Sequence, residues 1–208
     1  MYDEDALIDA CQSGDVSAFE VLVRKYQDRT VRVLYLLLGN FDDAQDVAQE
    51  AFIRAFKCIR TFKGTSSFAT CLHRIALNTA HNWIRDCKRQ REVLVPFDDR
   101  WHTTCGNPED ELISREKVLQ VKFALAQLPT YYREAIILRH YDDLSYEEIA
   151  EIQQVPVGTV RSRLAKARLL LQQHLSHAGD LNLKERVADN GMQTGKTIDP
   201  FCSRRSSR

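Results

Sequence analysis

Apolar residues recur at helical spacing along almost the whole chain. Between residues 17 and 38, and again between residues 42 and 56, apolar side chains return every three or four positions and so share one helix face. No segment shows a convincing alternation of apolar and polar residues, the pattern of a half-buried strand. The pattern therefore predicts an all-α protein.

Helix-start signals divide the first half of the chain into four predicted helices. Ser17 and Glu20 have the spacing of a capping box at the start of the second helix. Asp42 and Asp43 offer an N-cap and a favourable negative charge for the third helix. Ser67 can cap the fourth. The apolar face predicted for that fourth helix is Phe68, Leu72, Ile75, Ala76, Thr79, Ala80 and Trp83.

The helical pattern stops after Arg91 and resumes at Asn107-Pro108, which combines a cap with proline at the first helical position. Helix is expected from there to Leu128, where Pro129 ends it, and then over about 130–141, 146–153 and 157–175. The chain thus divides into two small helical domains, a flexible linker and a polar tail predicted to be disordered. The first domain is predicted to span residues 1–91, the linker 92–107, the second domain 108–177 and the tail 178–208.

Charge is balanced overall but strongly segregated along the chain. The formal net charge is zero, yet residues 54–91 carry nine Lys/Arg against one acid, and residues 98–116 carry six acids against two arginines. A neutral protein with a basic block can present one face to phosphates and another to a protein. The six cysteines form no C-x-x-C pair, which favours reduced thiols in a cytosol, and no apolar run is long enough for a membrane helix. The sequence therefore predicts a soluble, cytoplasmic protein without membrane insertion.

The sharpest motif is LSYEEIAEIQQVPVGTVRSRLAKARLLL, residues 144–171. Ser145 and Glu148 have capping-box spacing, and Pro156 ends one short helix just before another begins, as in a helix-turn-helix. No acid occurs between residues 157 and 173, so the second helix can enter a major groove, although a solvated basic face is the simpler alternative. The residues predicted to contact DNA on this helix are Thr159, Arg161, Ser162, Arg163, Lys166 and Arg168.

Four motifs together resemble extracytoplasmic-function (ECF) sigma factors of the sigma-70 family. SYEEIAEIQQVPVGTVRSRLAKAR is similar to region 4, which holds the −35 promoter element, and LPTYYREAIILRHYDDL to the helix that precedes it. DDAQDVAQEAFIRAF resembles region 2.2, the dock for core RNA polymerase, and FATCLHRIALNTAHNWIRD resembles regions 2.3 and 2.4, which melt and read the −10 element. The motifs occur in the family's order over about 170 of 208 residues.

The resemblance implies a protein that lends promoter recognition to RNA polymerase and catalyses nothing itself. Its partners would be core polymerase, through the clamp helices of the largest subunit, promoter DNA and an anti-sigma factor, with no cofactor and no metal. The residues implied at the polymerase dock are Asp46, Gln49, Glu50 and Ile53. Those implied at the −10 element are Arg74, Asn78, His81, Asn82, Arg85 and Lys88.

The fourth helix departs from the family pattern at two positions. Cys71 stands where relatives usually have tryptophan, and His73 where tyrosine is common, so looser packing is expected there. Cys71 is either a small core residue or a redox-sensitive thiol. The family holds extruded −10 bases near the preceding loop, where aromatic faces can stack on them. The side chains implied there are Phe62, Lys63, Ser66 and Phe68, of which Phe68 is better explained as core.

Two other classes of protein fit the sequence less well. An enzyme is disfavoured because the chain has no glycine-rich phosphate loop, H-E-x-x-H motif or nucleophile elbow. His174 and His177 share a helix face but lack further ligands for a metal. A conventional helix-turn-helix regulator explains residues 128–175 equally well, but not the acid-faced third helix followed by the basic fourth.

Overall fold

The computed structural model describes the backbone of residues 3–90 and 108–192 and the side chains of residues 3–86 and 117–176. All regular elements within these ranges are helical, which confirms the predicted all-α class. They are α1 (Glu4–Gln12), α2 (Val16–Leu38), α3 (Phe41–Cys58), a short 3-10 turn (Ile59–Thr61), α4 (Phe68–Gln90), α5 (Pro108–Ala126), α6 (Thr130–His140), α7 (Tyr146–Gln153) and α8 (Val157–Met192). We call α1–α4 the N-terminal unit and α5–α8 the C-terminal unit. The predicted linker, 92–107, lies outside the described residues.

Two of the predicted helix caps are wrong by a few residues. The N-cap of α2 is Asp15, whose carboxylate accepts a hydrogen bond from the Ser17 backbone N–H at 2.8 Å, so Ser17 lies inside the helix. The N-cap of α3 is Asn40, whose side chain accepts from the Asp43 N–H at 3.1 Å. Asp42 and Asp43 lie in the first turn instead, where their charge still complements the helix dipole. In both cases an Asx side chain two residues before the predicted cap starts the helix earlier and accepts from its first free N–H groups.

The helix-turn-helix forms at the predicted residues. Ser145 and Glu148 make both hydrogen bonds of the capping box, with Ser145 Oγ accepting at 3.1 Å and Glu148 Oε2 accepting at 2.8 Å. Gln154 ends α7 in the left-handed conformation with φ 53°, and α8 begins three residues later. Ala150 is buried against the crossing helices, as its small size predicts. The turn therefore fixes the direction in which α8 leaves α7.

Helix α8 is longer than the sequence pattern indicates. The spacing of Val160, Leu164, Ala167 and Leu171 predicts a shared apolar face; the first three are fully buried and Leu171 is half-buried. The backbone then stays helical to Met192, whereas the pattern predicts an end near residue 175. The first part of the predicted tail is therefore helical, and the remainder, from residue 193, lies outside the described residues.

The two units pack against each other around a shared apolar cluster. A smaller cluster, which includes Leu22, Phe52 and Leu72, belongs to the N-terminal unit alone. The larger cluster combines residues of α2, α3 and α4 with residues of α5 to α8, for example Leu34 with Ile137. Burying a leucine or isoleucine side chain stabilises a fold by roughly 1.5–3 kcal/mol, so the shared cluster holds the units together. Within the part of the chain that the structure describes, no helix is both long and apolar enough to cross a bilayer.

The capping box gives a first prediction. Replacing Ser145 with alanine removes the acceptor for the Glu148 N–H, so we expect the free energy of unfolding to fall by about 1 kcal/mol in urea denaturation. Ser176→Ala is the control, because Ser176 is exposed and its hydroxyl only donates back to the Gln172 carbonyl of its own helix. Equal stabilities of the two variants would contradict a capping role for Ser145.

Candidate polymerase and promoter interfaces

The outward face of α3 carries the residues predicted to dock on polymerase. The opposite face is anchored by buried side chains, among them Val47, Ala51 and Phe52, which fixes the rotation of the helix. All four predicted docking residues are consequently exposed: Asp46, Gln49, Glu50 and Ile53. Ile53 is 43% exposed among charged neighbours, and Glu50 accepts a hydrogen bond from Arg54 Nε at 2.8 Å. An exposed apolar side chain with a charged rim is the composition of a protein-binding surface.

Helix α4 presents most of the predicted −10 residues on its outer side. Buried Leu72, Ala76 and Ala80 anchor the inner side. Of the predicted set, Asn78, His81 and Arg85 are exposed, Arg74 and Asn82 are half-buried, and the side chain of Lys88 lies outside the described ones. Arg85 donates to Asn82 Oδ1 at 2.9 Å, which orients an amide able to read base edges.

A cavity of about 380 Å³ opens beside the start of α4, at the place implied for extruded bases. Its walls include Phe62, Lys63, Ser66 and Phe68. Phe68 is only 4% exposed and packs against Tyr26, with ring centroids 5.6 Å apart, which confirms it as a core residue. Phe62 is half-buried and meets Phe68 edge to face, so an aromatic wall remains available to a stacked base.

Cys71 also borders this cavity. The thiol is half-buried, and burial raises its pKa above the usual value, against a lowering contribution from Arg74. Because the thiolate is the reactive form, a raised pKa makes the thiol less reactive at neutral pH. The structure thus favours the interpretation of Cys71 as a small packing residue.

His73 forms a buried polar cluster that the sequence analysis missed. Its Nδ1 donates to the Ala69 carbonyl at 2.7 Å, and its Nε2 is hydrogen-bonded to the carboxylate of Asp142 in the connection between α6 and α7. Arg29 on α2 contacts the other carboxylate oxygen and the Asp142 carbonyl. The side chains of His73 and Asp142 are 1% and 2% exposed. Breaking such a buried pair by removing one member typically costs about 3–5 kcal/mol.

His81 makes a second contact between the units. Its Nε2 is hydrogen-bonded to Glu134 on α6, a carboxylate that is almost fully buried. This hydrogen bond raises the pKa of the His81 imidazole above its usual value, and burial opposes the shift. A residue predicted to face DNA therefore binds an acidic side chain of the C-terminal unit.

The outer side of α8 carries the predicted −35 residues. Arg161, Ser162, Lys166 and Arg168 are exposed and Thr159 is half-buried, with the Ser162 hydroxyl donating to the Thr159 carbonyl at 2.9 Å. Basic side chains on the second helix of a helix-turn-helix are positioned for phosphates and for guanine edges in the major groove.

Arg163 differs from the other −35 residues because it turns toward α6 and α7. It donates to Gln153 Oε1 at 2.9 Å and lies over the ring of Tyr131, with the guanidinium carbon 5.4 Å from the ring centroid. Gln153 in turn donates to Glu134 Oε2 at 3.2 Å. Arg163 and Asn78 line the same cleft of about 740 Å³ between the units.

Comparison with known proteins identifies both units. The family described as "Sigma-70 region 2" matches residues 22–90, and "Sigma-70, region 4" matches residues 119–171. The chain is 38% identical over 177 residues to the ECF RNA polymerase sigma-E factor of Haemophilus influenzae, with 81% of this chain and 93% of the relative covered. It is 40% identical over 176 residues to the sigma-E factor of Escherichia coli K12, with 79% and 90% covered.

Solved structures agree with these sequence relatives. CnrH in complex with the cytosolic domain of CnrY superimposes with a TM-score of 0.64 at 26% identity, covering 84% of this chain and 99% of CnrH. RpoE of Bartonella quintana in complex with the anti-sigma factor NepR gives a TM-score of 0.65 at 25% identity, covering 77% and 98%.

The chain belongs to the ECF sigma factors of the sigma-70 family. It is an RNA polymerase sigma factor that directs transcription initiation, and its family is not enzymatic. Sigma factors bind core polymerase and promoter DNA. A conventional helix-turn-helix regulator would account for the region 4 match but not for the region 2 match over residues 22–90.

The pair of His81 and Glu134 gives a second prediction. A histidine whose pKa is raised in the folded state contributes its stabilisation fully below about pH 6.5 and loses it as pH rises through the raised value. In Glu134→Gln we expect the pKa of His81 to fall toward 6.5, measured from the ring proton shifts in an NMR titration. Glu147→Gln removes an exposed carboxylate of α7 and should leave the His81 pKa unchanged. The same His81 pKa in wild type and Glu134→Gln would rule out the hydrogen bond.

Proposed function

We propose that the promoter is held at two places by two helices of this chain while α3 docks the protein on polymerase. In this assignment α4 contacts the −10 element, α8 contacts the −35 element, and the polymerase performs all the chemistry. The single observation that carries the proposal is that each predicted interface occupies one side of a helix whose other side is buried. Each helix therefore has its rotation fixed by packing and a defined polar side turned outward, although His81 of α4 and Arg163 of α8 are hydrogen-bonded within the chain.

The dock on polymerase is assigned to Asp46, Gln49, Glu50 and Ile53. Carboxylates at Asp46 and Glu50 can pair with basic residues on the clamp helices of the largest subunit, with Ile53 supplying apolar contact. Exposed salt bridges are weak singly, so the dock depends on several contacts acting together.

The −10 element is assigned to α4 and the cavity beside its start. The basic side chains Arg74, Arg85 and Lys88 would hold phosphates, and Asn78, His81 and Asn82 would meet base edges. The cavity between Phe62 and Lys63 would accept a base extruded from the opened strand, as enzymes that flip bases do with unstacked nucleotides.

The −35 element is assigned to the outer side of α8. Arg161, Lys166 and Arg168 would contact phosphates and guanine edges in the major groove, assisted by Thr159 and Ser162. Arg163 would join them after leaving its hydrogen bond to Gln153.

Control by an anti-sigma factor is the third part of the proposal. RpoE of Bartonella quintana has been solved with the anti-sigma factor NepR, and CnrH with the cytosolic domain of CnrY. By analogy, an anti-sigma partner would hold this chain away from polymerase. We place its action in the cytoplasm, where polymerase and promoter DNA meet.

The dock gives a third prediction. Reversing both charges in Asp46→Arg/Glu50→Arg should abolish transcription from a genomic library of candidate promoters when the protein is added to bacterial core polymerase. The charge repulsion would act at the contact with basic clamp residues. Glu20→Arg/Asp28→Arg reverses two exposed acids on α2 and should retain transcription. Full activity of the Asp46/Glu50 variant would remove α3 from the interface.

The assignment of α8 to the −35 element gives a fourth prediction, which is tested by the salt dependence of DNA affinity. Arg161→Ala and Lys166→Ala should each weaken binding of the holoenzyme to duplex −35 DNA and flatten the plot of log affinity against log salt by about one unit per lost phosphate contact. Lys117→Ala, which removes an exposed cation from α5, should keep the wild-type slope. Unchanged slopes in both α8 variants would mean that this side of α8 does not meet phosphate.

A further inference from the structure

The last residue of α1 is hydrogen-bonded to the turn that precedes the cavity assigned to an extruded base. Gln12 Nε2 donates to the Phe62 carbonyl at 2.7 Å and to the Ile59 carbonyl at 3.2 Å. These two carbonyls lie at the beginning and the end of the 3-10 turn that follows α3. One primary amide, through its two N–H groups, therefore ties both ends of the turn to α1.

Packing within the N-terminal unit holds Gln12 against this turn. Ile8 and Cys11 of α1 are buried in the same apolar cluster as Ile59, which fixes the position of α1 relative to the turn. The Gln12 side chain itself is half-buried. Since carbonyl oxygens can only accept hydrogen bonds, the amide nitrogen of Gln12 must face them and its amide oxygen must point away.

The hydrogen bond to the Phe62 carbonyl is the one for which the turn has no substitute. The Ile59 carbonyl also accepts from the Phe62 N–H at 3.1 Å, so it would stay satisfied without Gln12. Among the residues that the structure describes, Gln12 is the only hydrogen-bond donor to the Phe62 carbonyl. Without that donor the carbonyl would rotate toward water, and the peptide plane between Phe62 and Lys63 would rotate with it.

This peptide is where the chain enters the wall of the cavity. Residues 62–66, which we call the cavity loop, include four that line the cavity, among them Phe62 and Lys63. Phe62 begins the loop with extended backbone angles, φ −69° and ψ 122°, and Gly64 then takes the left-handed conformation with φ 67°. No described side chain other than Gln12 is hydrogen-bonded to the cavity loop. The direction in which the loop starts therefore depends on α1.

We propose that Gln12 is a positioning residue for −10 recognition, which holds the cavity loop in the conformation that presents Phe62 and Lys63 to an extruded base. The inference rests on the proposed assignment of the cavity to that base. It adds a residue of α1 that is not itself among the cavity walls. Stacking alone accepts any base, so discrimination requires polar atoms of the loop at fixed distances from the base edge.

A purely stabilising role of Gln12 leads to a different expectation. Loss of its two hydrogen bonds would then lower the free energy of unfolding and weaken transcription from all promoters alike. A positioning role instead lowers discrimination at the one −10 position whose base enters the cavity. Selection at the other −10 positions and at the −35 element, which depend on α4 and α8, is then retained.

The test uses holoenzyme assembled from core polymerase and the full chain with Gln12→Met, which keeps the side-chain length and the helix propensity but removes both donors. The probe is a promoter recovered from the genomic library with its −10 element randomised, and the measurement is the relative transcript yield for each base at each position. We expect discrimination at one −10 position to fall by about fivefold, the low end of what one base contact contributes. Discrimination at the other positions should match wild type.

Two further variants control for folding. Ser13→Ala is the matched control, because the exposed Ser13 hydroxyl donates only to the Asp9 carbonyl of α1, and it should keep wild-type discrimination. Gln12→Asn keeps the amide but is one methylene too short to reach both carbonyls. Should Gln12→Met fail to fold, Gln12→Asn should show the same loss at the same position to a smaller extent.

A double-mutant cycle with Phe62 tests whether Gln12 acts through the cavity loop. Phe62→Ala should itself lower discrimination at the same −10 position. Adding Gln12→Met should then change that discrimination no further, because the ring that Gln12 positions is gone. Losses that multiply in the double variant would show that Gln12 does not act through this ring and would reject the proposal.

Wild-type discrimination in both Gln12 variants would also overturn it, as would an equal loss at every −10 position. If Phe62→Ala lowers discrimination and Gln12→Met does not, only the positioning role is rejected. If Phe62→Ala leaves discrimination unchanged in a holoenzyme that transcribes, the proposed role of the cavity fails, and the positioning role fails with it.

Discussion

The carboxylate of Asp142 is the point on which the arrangement of the two units depends. It is buried between them and bonded to His73 from α4 and to Arg29 from α2, while the second nitrogen of His73 is satisfied by the Ala69 carbonyl. A buried carboxylate is tolerated only when such partners replace its water. Movement of the C-terminal unit by a few ångströms would leave the charge without them. The apolar cluster supplies the attraction between the units, and Asp142 selects one geometry out of those that the cluster allows.

Packing determines which side of each proposed interface helix faces outward. Helices α3, α4 and α8 each bury one apolar side, represented by Ala51, Leu72 and Leu164, and each therefore turns a defined polar side outward. On α3 that side is open to a partner. On α4 and α8 part of it is engaged by the other unit through His81 and Arg163. The proposed dock on α3 is thus exposed, whereas His81 and Arg163, proposed to meet the promoter, are hydrogen-bonded within the chain.

Local sequence signals predicted the helices and the exposed sides of α3 and α8, because periodicity and caps depend on residues three or four positions apart. The capping box at Ser145 is one such signal. The N-caps of α2 and α3 were predicted wrongly because Asp15 and Asn40, the observed caps, lie within a few positions of other residues that can cap a helix. The partners of His73 and His81 were out of reach, since they lie 69 and 53 residues away in sequence and no periodicity links them. The departure of His73 from the family pattern was visible, but its acidic partner was not.

The hydrogen bond between His81 and Glu134 has a genetic consequence. A substitution at Glu134 changes the surroundings of His81, the side chain proposed for the −10 element, so a change in one unit can be compensated by a second-site change in the other. Evolution of promoter preference at His81 is then constrained twice, once by the bases it would meet and once by the acid it pairs with. A change at either position without the other removes a hydrogen bond between the two units, so the two residues are expected to vary together.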